Sequence, residues 1–240
     1  MTYLDFDRMR QLSSDEFRNA RPYPWINPRG VLTDEGLRRL IETSPKVARC
    51  NPFFGVTRKH GQQSHDRFVL DYRDRLDIAP EWKAFIRELR SREYMDFLER
   101  LSGRRSLSLR FHWHYTPNGC SVSPHCDANH KIGSHIFYLN TEANWKEEWG
   151  GQTVVLDDGG RFNRRSAPGF EDFSSAIDAR TLGNYSFLFA RQGNSWHGVR
   201  EIRCPEGMYR KVFIVVINDR WKAIRKQFLD RIKGKQSKDY

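Results

Sequence analysis

Ser106-Leu107-Ser108-Leu109-Arg110-Phe111-His112-Trp113-His114-Tyr115 is where the texture of this 240-residue chain changes. Leu107, Leu109, Phe111, Trp113 and Tyr115 alternate with Arg110, His112 and His114, a period of two that predicts a strand with one apolar and one polar face. Upstream the periodicity is helical. Trp82, Phe85, Ile86 and Leu89, then Tyr94, Phe97, Leu98 and Leu101, predict helix over 80–103, with a break or restart at Ser91 and a stop at Gly103. Thr33-Asp34-Glu35 opens another helix bearing Leu37, Leu40 and Ile41, and residues 1–20 read as a polar helix capped by Ser13 or Ser14. Between them, Pro22-Tyr23-Pro24-Trp25-Ile26-Asn27 reads as extended, because proline disfavours helix in the residue before it. Downstream, strands are expected around 133–140, 152–156, 185–190 and 211–218, whereas 44–78 has no decisive pattern. Helices first and many short strands afterwards predict an α+β fold with an antiparallel barrel or sandwich.

Two short pieces of this strand-rich half carry chemistry. His125-Cys126-Asp127 places an imidazole and a carboxylate two residues apart, on one face if the backbone there is extended. His197, in Ser195-Trp196-His197-Gly198, lies 72 residues further on, and Arg210 follows after 13 more, at the head of the apolar run 212–217. Two imidazoles and one carboxylate with open positions beside them are the donor set of non-haem Fe(II). A strand-borne arginine can grip a carboxylate with its planar fork. The distal histidine reaches the pair only if the sheet rolls back on itself, as in a jelly-roll. His125, Asp127 and His130 offer a competing local zinc site, which leaves His197 and Arg210 without a role. Alternation separates Arg210 from Lys211, which falls on the opposite face.

Composition narrows the class. The net charge is +11 and the isoelectric point about 9.7, but +6 of that charge lies in residues 220–240. No stretch of 18 apolar residues occurs, the first residues lack a signal peptide's apolar run, and the four cysteines show no paired spacing. A reduced, cytoplasmic protein without a membrane span is the expectation. The basic tail raises the alternative of a nucleic-acid-directed oxygenase or a basic nucleic-acid-binding protein, but no nucleic-acid motif accompanies it.

Residues 23–221 resemble the prolyl-4-hydroxylase-like branch of the Fe(II)/2-oxoglutarate-dependent dioxygenases. The resemblance is carried by Pro22–Asn27 leading to a Leu-Thr-Asp-Glu helix, and by Tyr115-Thr116-Pro117-Asn118-Gly119 six residues before His-X-Asp. It continues in Phe137-Tyr138-Leu139-Asn140, Trp149-Gly150-Gly151 and Ser195-Trp196-His197-Gly198-Val199. It implies a double-stranded β-helix (jelly-roll) core with N-terminal supporting helices. It also implies Fe(II) on His125, Asp127 and His197, and 2-oxoglutarate and O₂ as co-substrates. Arg210 would bind the far carboxylate of 2-oxoglutarate, with Tyr138 and Tyr115 as hydrogen-bonding partners and no catalytic residue beyond the metal ligands. The implied activity is hydroxylation of a C–H bond in a small molecule or protein side chain, releasing succinate and CO₂. In related halogenases a small residue replaces the carboxylate, so Asp127 favours oxygenation. One departure is Val212, where the family often has Ser or Thr two residues after the arginine.

The expected organisation is an N-terminal helical extension (1–22), the dioxygenase domain (23–221, helical over 23–104 and β-helical over 105–221) and a basic C-terminal helix and tail (222–240). Residues 157–180 form a long charged insertion whose Arg161, Arg164 and Arg165 suit an anionic substrate.

Overall fold

A computed structural model describes residues 1–56, 58 and 61–225. Its spine is the pair β4 (Leu107–Pro117) and β11 (Tyr209–Asp219), antiparallel over their full length from Tyr209 opposite Pro117 to Asp219 opposite Leu107. Around them lie β1 (Trp25–Ile26), β2 (Asn51–Phe53), β3 (Arg67–Asp71), β6 (Lys131–Tyr138) and β9 (Ser186–Ala190), in the order β1-β9-β6-β11-β4-β3-β2. A second sheet is ordered β5-β10-β7-β8, from β5 (Val122–His125), β10 (His197–Val199), β7 (Val154–Asp157) and β8 (Ser175–Asp178). All pairings are antiparallel, and the two sheets make the jelly-roll core.

The β4 alternation decides which side of the large sheet takes the helices. Phe111, Trp113 and Tyr115 face α4 (Pro80–Leu89) and α5 (Arg92–Ser102) in one aromatic core. Trp82 packs edge-on to Trp113 and tilted on Phe213, ring centroids 4.9 Å away in both cases. Such contacts add to the area term of burial. The residues between them, His112, His114 and Thr116, turn to the other face and line a cavity. Ser91 caps α5 through its hydroxyl on the Tyr94 N–H, and Gly103 ends it at φ 66°. The break read at Ser91 is therefore a cap between two helices.

Three expectations change in detail. The helix read over 1–20 is two, α1 (Phe6–Gln11) and α2 (Ser14–Asn19), because the Ser13 hydroxyl accepts from the Glu16 N–H and restarts the helix. β5 ends at His125, so Asp127 lies in the turn beyond it rather than on the strand. The 157–180 insertion is built rather than open. It contains β8, and Phe162, Phe170 and Phe173 pack with Trp196. Buried Asp158 accepts backbone N–H groups from Gly160 and Phe162. α3 (Asp34–Glu42) forms as expected from its Thr33 cap. The unread 44–78 segment supplies β2 and β3. Residues 220–225 are helical, and the rest of the expected basic helix and tail lies outside the described residues.

Candidate metal and co-substrate site

Both histidines sit on neighbouring strands of the small sheet. His125 of β5 is the direct register partner of His197 of β10, with ring centroids 4.4 Å apart. Each ring turns Nδ1 toward a carbonyl two residues back: His125 to Ser123 O and His197 to Ser195 O, both at 2.9 Å. A carbonyl only accepts, so both Nδ1 atoms carry the proton and both Nε2 atoms keep a lone pair. Burial pushes both imidazoles below their ordinary pKa, which keeps them neutral as ligation requires.

Asp127 completes the cluster. One ligand atom from each of His125, Asp127 and His197 lies within 4.8 Å of the others. Burial alone would raise the Asp127 carboxyl, but Lys131, whose Nζ donates to Oδ1 at 2.8 Å, and the two histidines hold it well below the usual range. A buried carboxylate beside two imidazole lone pairs suits a divalent cation of the iron type. Fixing each ring by its second nitrogen is the usual way a protein orients such ligands. His130 lies nearby on the cavity wall but is not part of this cluster.

The cluster opens into a cavity of about 560 Å³ between the sheets, with Arg210 on the same wall system. Arg210 is buried, and its Nε donates to Gly151 O. Its Nη2 donates to Thr153 Oγ1 at 3.3 Å, and its guanidinium lies 5.7 Å from the centre of the Tyr138 ring. Gly151 has φ 93°, and a Cβ there would stand 3.1 Å from Arg210 Cδ, so glycine permits this approach. Burial lowers the guanidinium pKa, yet an arginine keeps its charge. Lys211 points the other way, its Nζ 5.8 Å from the Tyr115 ring centre.

The two tyrosines part company. Tyr138 is buried beside Arg210, and its hydroxyl donates to Thr153 Oγ1 at 2.8 Å. Tyr115 does not join the site. Alternation along β4 sends it to the helical core, where its hydroxyl donates to Pro45 O at 2.7 Å. Its neighbour Thr116 faces the cavity instead, as the register partner of Arg210. Val212, the departure from the family pattern, is buried with Tyr138 in an apolar cluster.

Thr116, Thr153, Arg67, His65 and Lys131 are cavity residues that the sequence reading did not single out. Thr116 was within reach, since extending the β4 alternation by one polar residue finds it. Lys131 was also within reach, four residues from Asp127, whereas Thr153, Arg67 and His65 carry no local signal, because long-range pairing brings them in.

Residues 111–218 match the family model described as the 2OG-Fe(II) oxygenase superfamily. No curated protein matches the chain in sequence. Among solved structures, the fold is similar to a Pseudomonas putida prolyl-4-hydroxylase, with TM-score 0.56 and 15% identity over 85% of this chain and 97% of that one. It is also similar to a Trichoplax adhaerens prolyl hydroxylase in complex with a hypoxia inducible factor peptide fragment, with TM-score 0.61 and 12% identity over 92% and 93%. A third is the non-haem α-ketoglutarate-dependent epimerase SnoN from nogalamycin biosynthesis, with TM-score 0.56 and 16% identity over 90% and 82%. None of the helices is long and apolar enough to cross a membrane among the described residues. Residues 111–218, which span β4 to β11, thus carry the 2OG-Fe(II) oxygenase signature on a fold shared with solved 2OG-Fe(II) oxygenases, and the enzyme class with its Fe(II), 2-oxoglutarate and O₂ follows from that match.

Proposed function

We propose that the chain hydroxylates a C–H bond of a small molecule or a protein side chain, with His125, Asp127 and His197 holding Fe(II) and Arg210 gripping the distal carboxylate of 2-oxoglutarate. The observation that carries this reading is the single cavity lined by all four residues. When bound, Fe(II) with 2-oxoglutarate and O₂ supplies the oxidising power, one oxygen atom passing to the substrate and one to succinate, with CO₂ released.

The protein's share is placement. The Ser123 and Ser195 carbonyls hold the two Nε2 lone pairs in position, so metal binding does not have to select a tautomer. Lys131 keeps Asp127 ionised and limits its rotation. Arg210, braced by Gly151 O and Thr153, presents a fixed fork for a carboxylate, which lowers the ordering cost of binding. The sandwich walls, including Ile136, Ile214 and Phe189, exclude water from the reacting centre. No residue is assigned an acid–base role.

The experiment is succinate formation from 2-oxoglutarate with Fe(II), screened against small molecules and peptides, followed by mass analysis of the coupled product. A product heavier by one oxygen atom is expected. An epimerised product of unchanged mass, or a chlorinated one in chloride buffer, would overturn the hydroxylase reading.

A further inference from the structure

The cavity carries far more positive charge than the proposed metal and co-substrate need. Asp127 is the one carboxylate on its wall among the described residues, and Lys131 already pairs with it. With Arg210 assigned to 2-oxoglutarate, Arg58, Arg67, Arg164 and Arg165 still line the same space. Guanidinium groups gathered around one enclosed space repel one another unless an anion sits among them.

Their placement is built, not incidental. Arg67 is 7% exposed and sits on β3, one strand away from Thr116 of β4, which is itself the register partner of Arg210. Arg67 and Arg210 thus stand at the same end of the large sheet, on either side of Thr116. Arg67 is braced by donating through Nη1 to His65 O.

Arg58 is held by a chain that passes through Ser123 on the strand bearing His125. Its Nη1 lies 2.8 Å from His65 Nδ1. A guanidinium only donates, so Nδ1 accepts and the opposite nitrogen carries the proton. That nitrogen, Nε2, donates to Ser123 Oγ at 3.1 Å, and the Ser123 hydroxyl donates on to Gln63 O at 3.4 Å. The His65 ring is 4.5 Å from the His125 ring, centroid to centroid. Arg58 Nε, buried, has no hydrogen-bond partner among the described residues.

Arg164 and Arg165 come from the insertion, whose Phe162–Trp196 packing fixes the base of the loop. Gln62 Nε2 donates to Ser166 O at 3.2 Å, joining this loop to the Arg58 segment over the cavity. Neither Arg164 nor Arg165 has a side-chain hydrogen bond or ion pair among the described residues, so both remain available at the mouth.

We infer that the substrate of this oxygenase bears an anionic group, a carboxylate or a phosphate, which Arg58 and Arg67 bind inside the cavity while Arg164 and Arg165 draw it in at the mouth. The inference rests on the proposed assignment of Arg210 to the co-substrate. Planar guanidinium forks match both anion types, and an enclosed, low-dielectric wall strengthens the pairing.

The test is calorimetric titration of the anaerobic Fe(II)- and 2-oxoglutarate-saturated protein with methyl phosphate and, separately, with acetate. The wild type binds at least one of the two, and the tighter binder identifies the anion. In the Arg58→Gln/Arg67→Gln variant that affinity falls at least tenfold while 2-oxoglutarate affinity is retained, which also shows that the variant is folded. Arg164→Gln/Arg165→Gln lowers that affinity at low salt and leaves it less dependent on salt than in the wild type. If neither anion binds, or binding survives loss of Arg58 and Arg67, the inference is overturned. The same holds if a neutral peptide stimulates succinate formation more than phosphate- or carboxylate-bearing small molecules do. If 2-oxoglutarate binding proves insensitive to Arg210→Gln, the co-substrate assignment has failed instead, and the two failures are told apart by which ligand loses affinity.

Discussion

His125 and His197 face each other as register partners across β5 and β10, with both Nδ1 atoms donating to carbonyls of their own segments. The pairing brings together residues far apart in sequence and leaves two imidazole lone pairs beside Asp127. Metal binding should therefore depend on sheet pairing as much as on residue identity.

His125→Ala, Asp127→Ala and His197→Ala should each remove most bound Fe(II) and abolish turnover, since loss of one ligand costs both affinity and geometry. Iron content after dialysis, together with succinate release, checks this. Full activity in His197→Ala would sink the assignment, as would tetrahedral zinc held by His125, Asp127 and His130.

Arg210→Ala should weaken 2-oxoglutarate binding by about 10- to 100-fold, as expected for the loss of charge-assisted hydrogen bonds of about 1.5–3 kcal/mol each. Lys211→Ala should change it little, because Lys211 lies over Tyr115 on the opposite face. Titration of both variants at equal iron occupancy decides the matter. Sensitivity at Lys211 alone would contradict the observed register.

Thr153 Oγ1 accepts from both Tyr138 and Arg210, so its own proton is left to donate toward the cavity it lines. With 2-oxoglutarate bound as proposed, it would stand in for the hydroxyl that Val212 lacks. Thr153→Val should raise the 2-oxoglutarate dissociation constant by roughly 2- to 13-fold, the worth of about 0.5–1.5 kcal/mol of net hydrogen bonding. Unchanged affinity would restrict Thr153 to packing.

His135 should govern part of the acid stability. It is fully buried between Tyr94 and Ser186, and burial lowers its pKa to about 3. The unfolded chain takes up this proton near pH 6.5, the folded one only near pH 3. Between those values the unfolded state binds more protons, so this contribution is complete above about pH 6.5. It declines as pH falls, by up to about 1.4 kcal/mol per pH unit. Urea midpoints measured from pH 8 to pH 4 should fall less steeply in His135→Gln than in wild type. Parallel slopes would refute the role of His135.

The local signals in the sequence were sufficient for several elements. The two-residue alternation of β4 named the core face and the cavity face correctly, because strand geometry alone sets that period. The same alternation also contradicted the family-derived place for Tyr115. A resemblance carries residue identity, while the strand's pleat decides where a side chain points, and here the pleat puts Tyr115 against Pro45 and Thr116 in the cavity. Ser91 and Gly103 bounded α5 by capping chemistry that acts within one turn.

What the sequence determined by itself was the chemical inventory and its order: His-X-Asp, a distal histidine, then an arginine heading an apolar strand. What only the tertiary structure decided was adjacency. His125 meets His197 because β10 pairs with β5, and Arg67 stands near Arg210 because β3, β4 and β11 lie side by side. Lys131 reaches Asp127 because the chain turns after β5 instead of continuing as strand. The strand pairings join residues tens to more than a hundred positions apart, and their free energy comes from closing the sheets over a shared core. No local pattern encodes that closure, so the surplus of guanidinium groups around one cavity becomes visible only once the strands are in place.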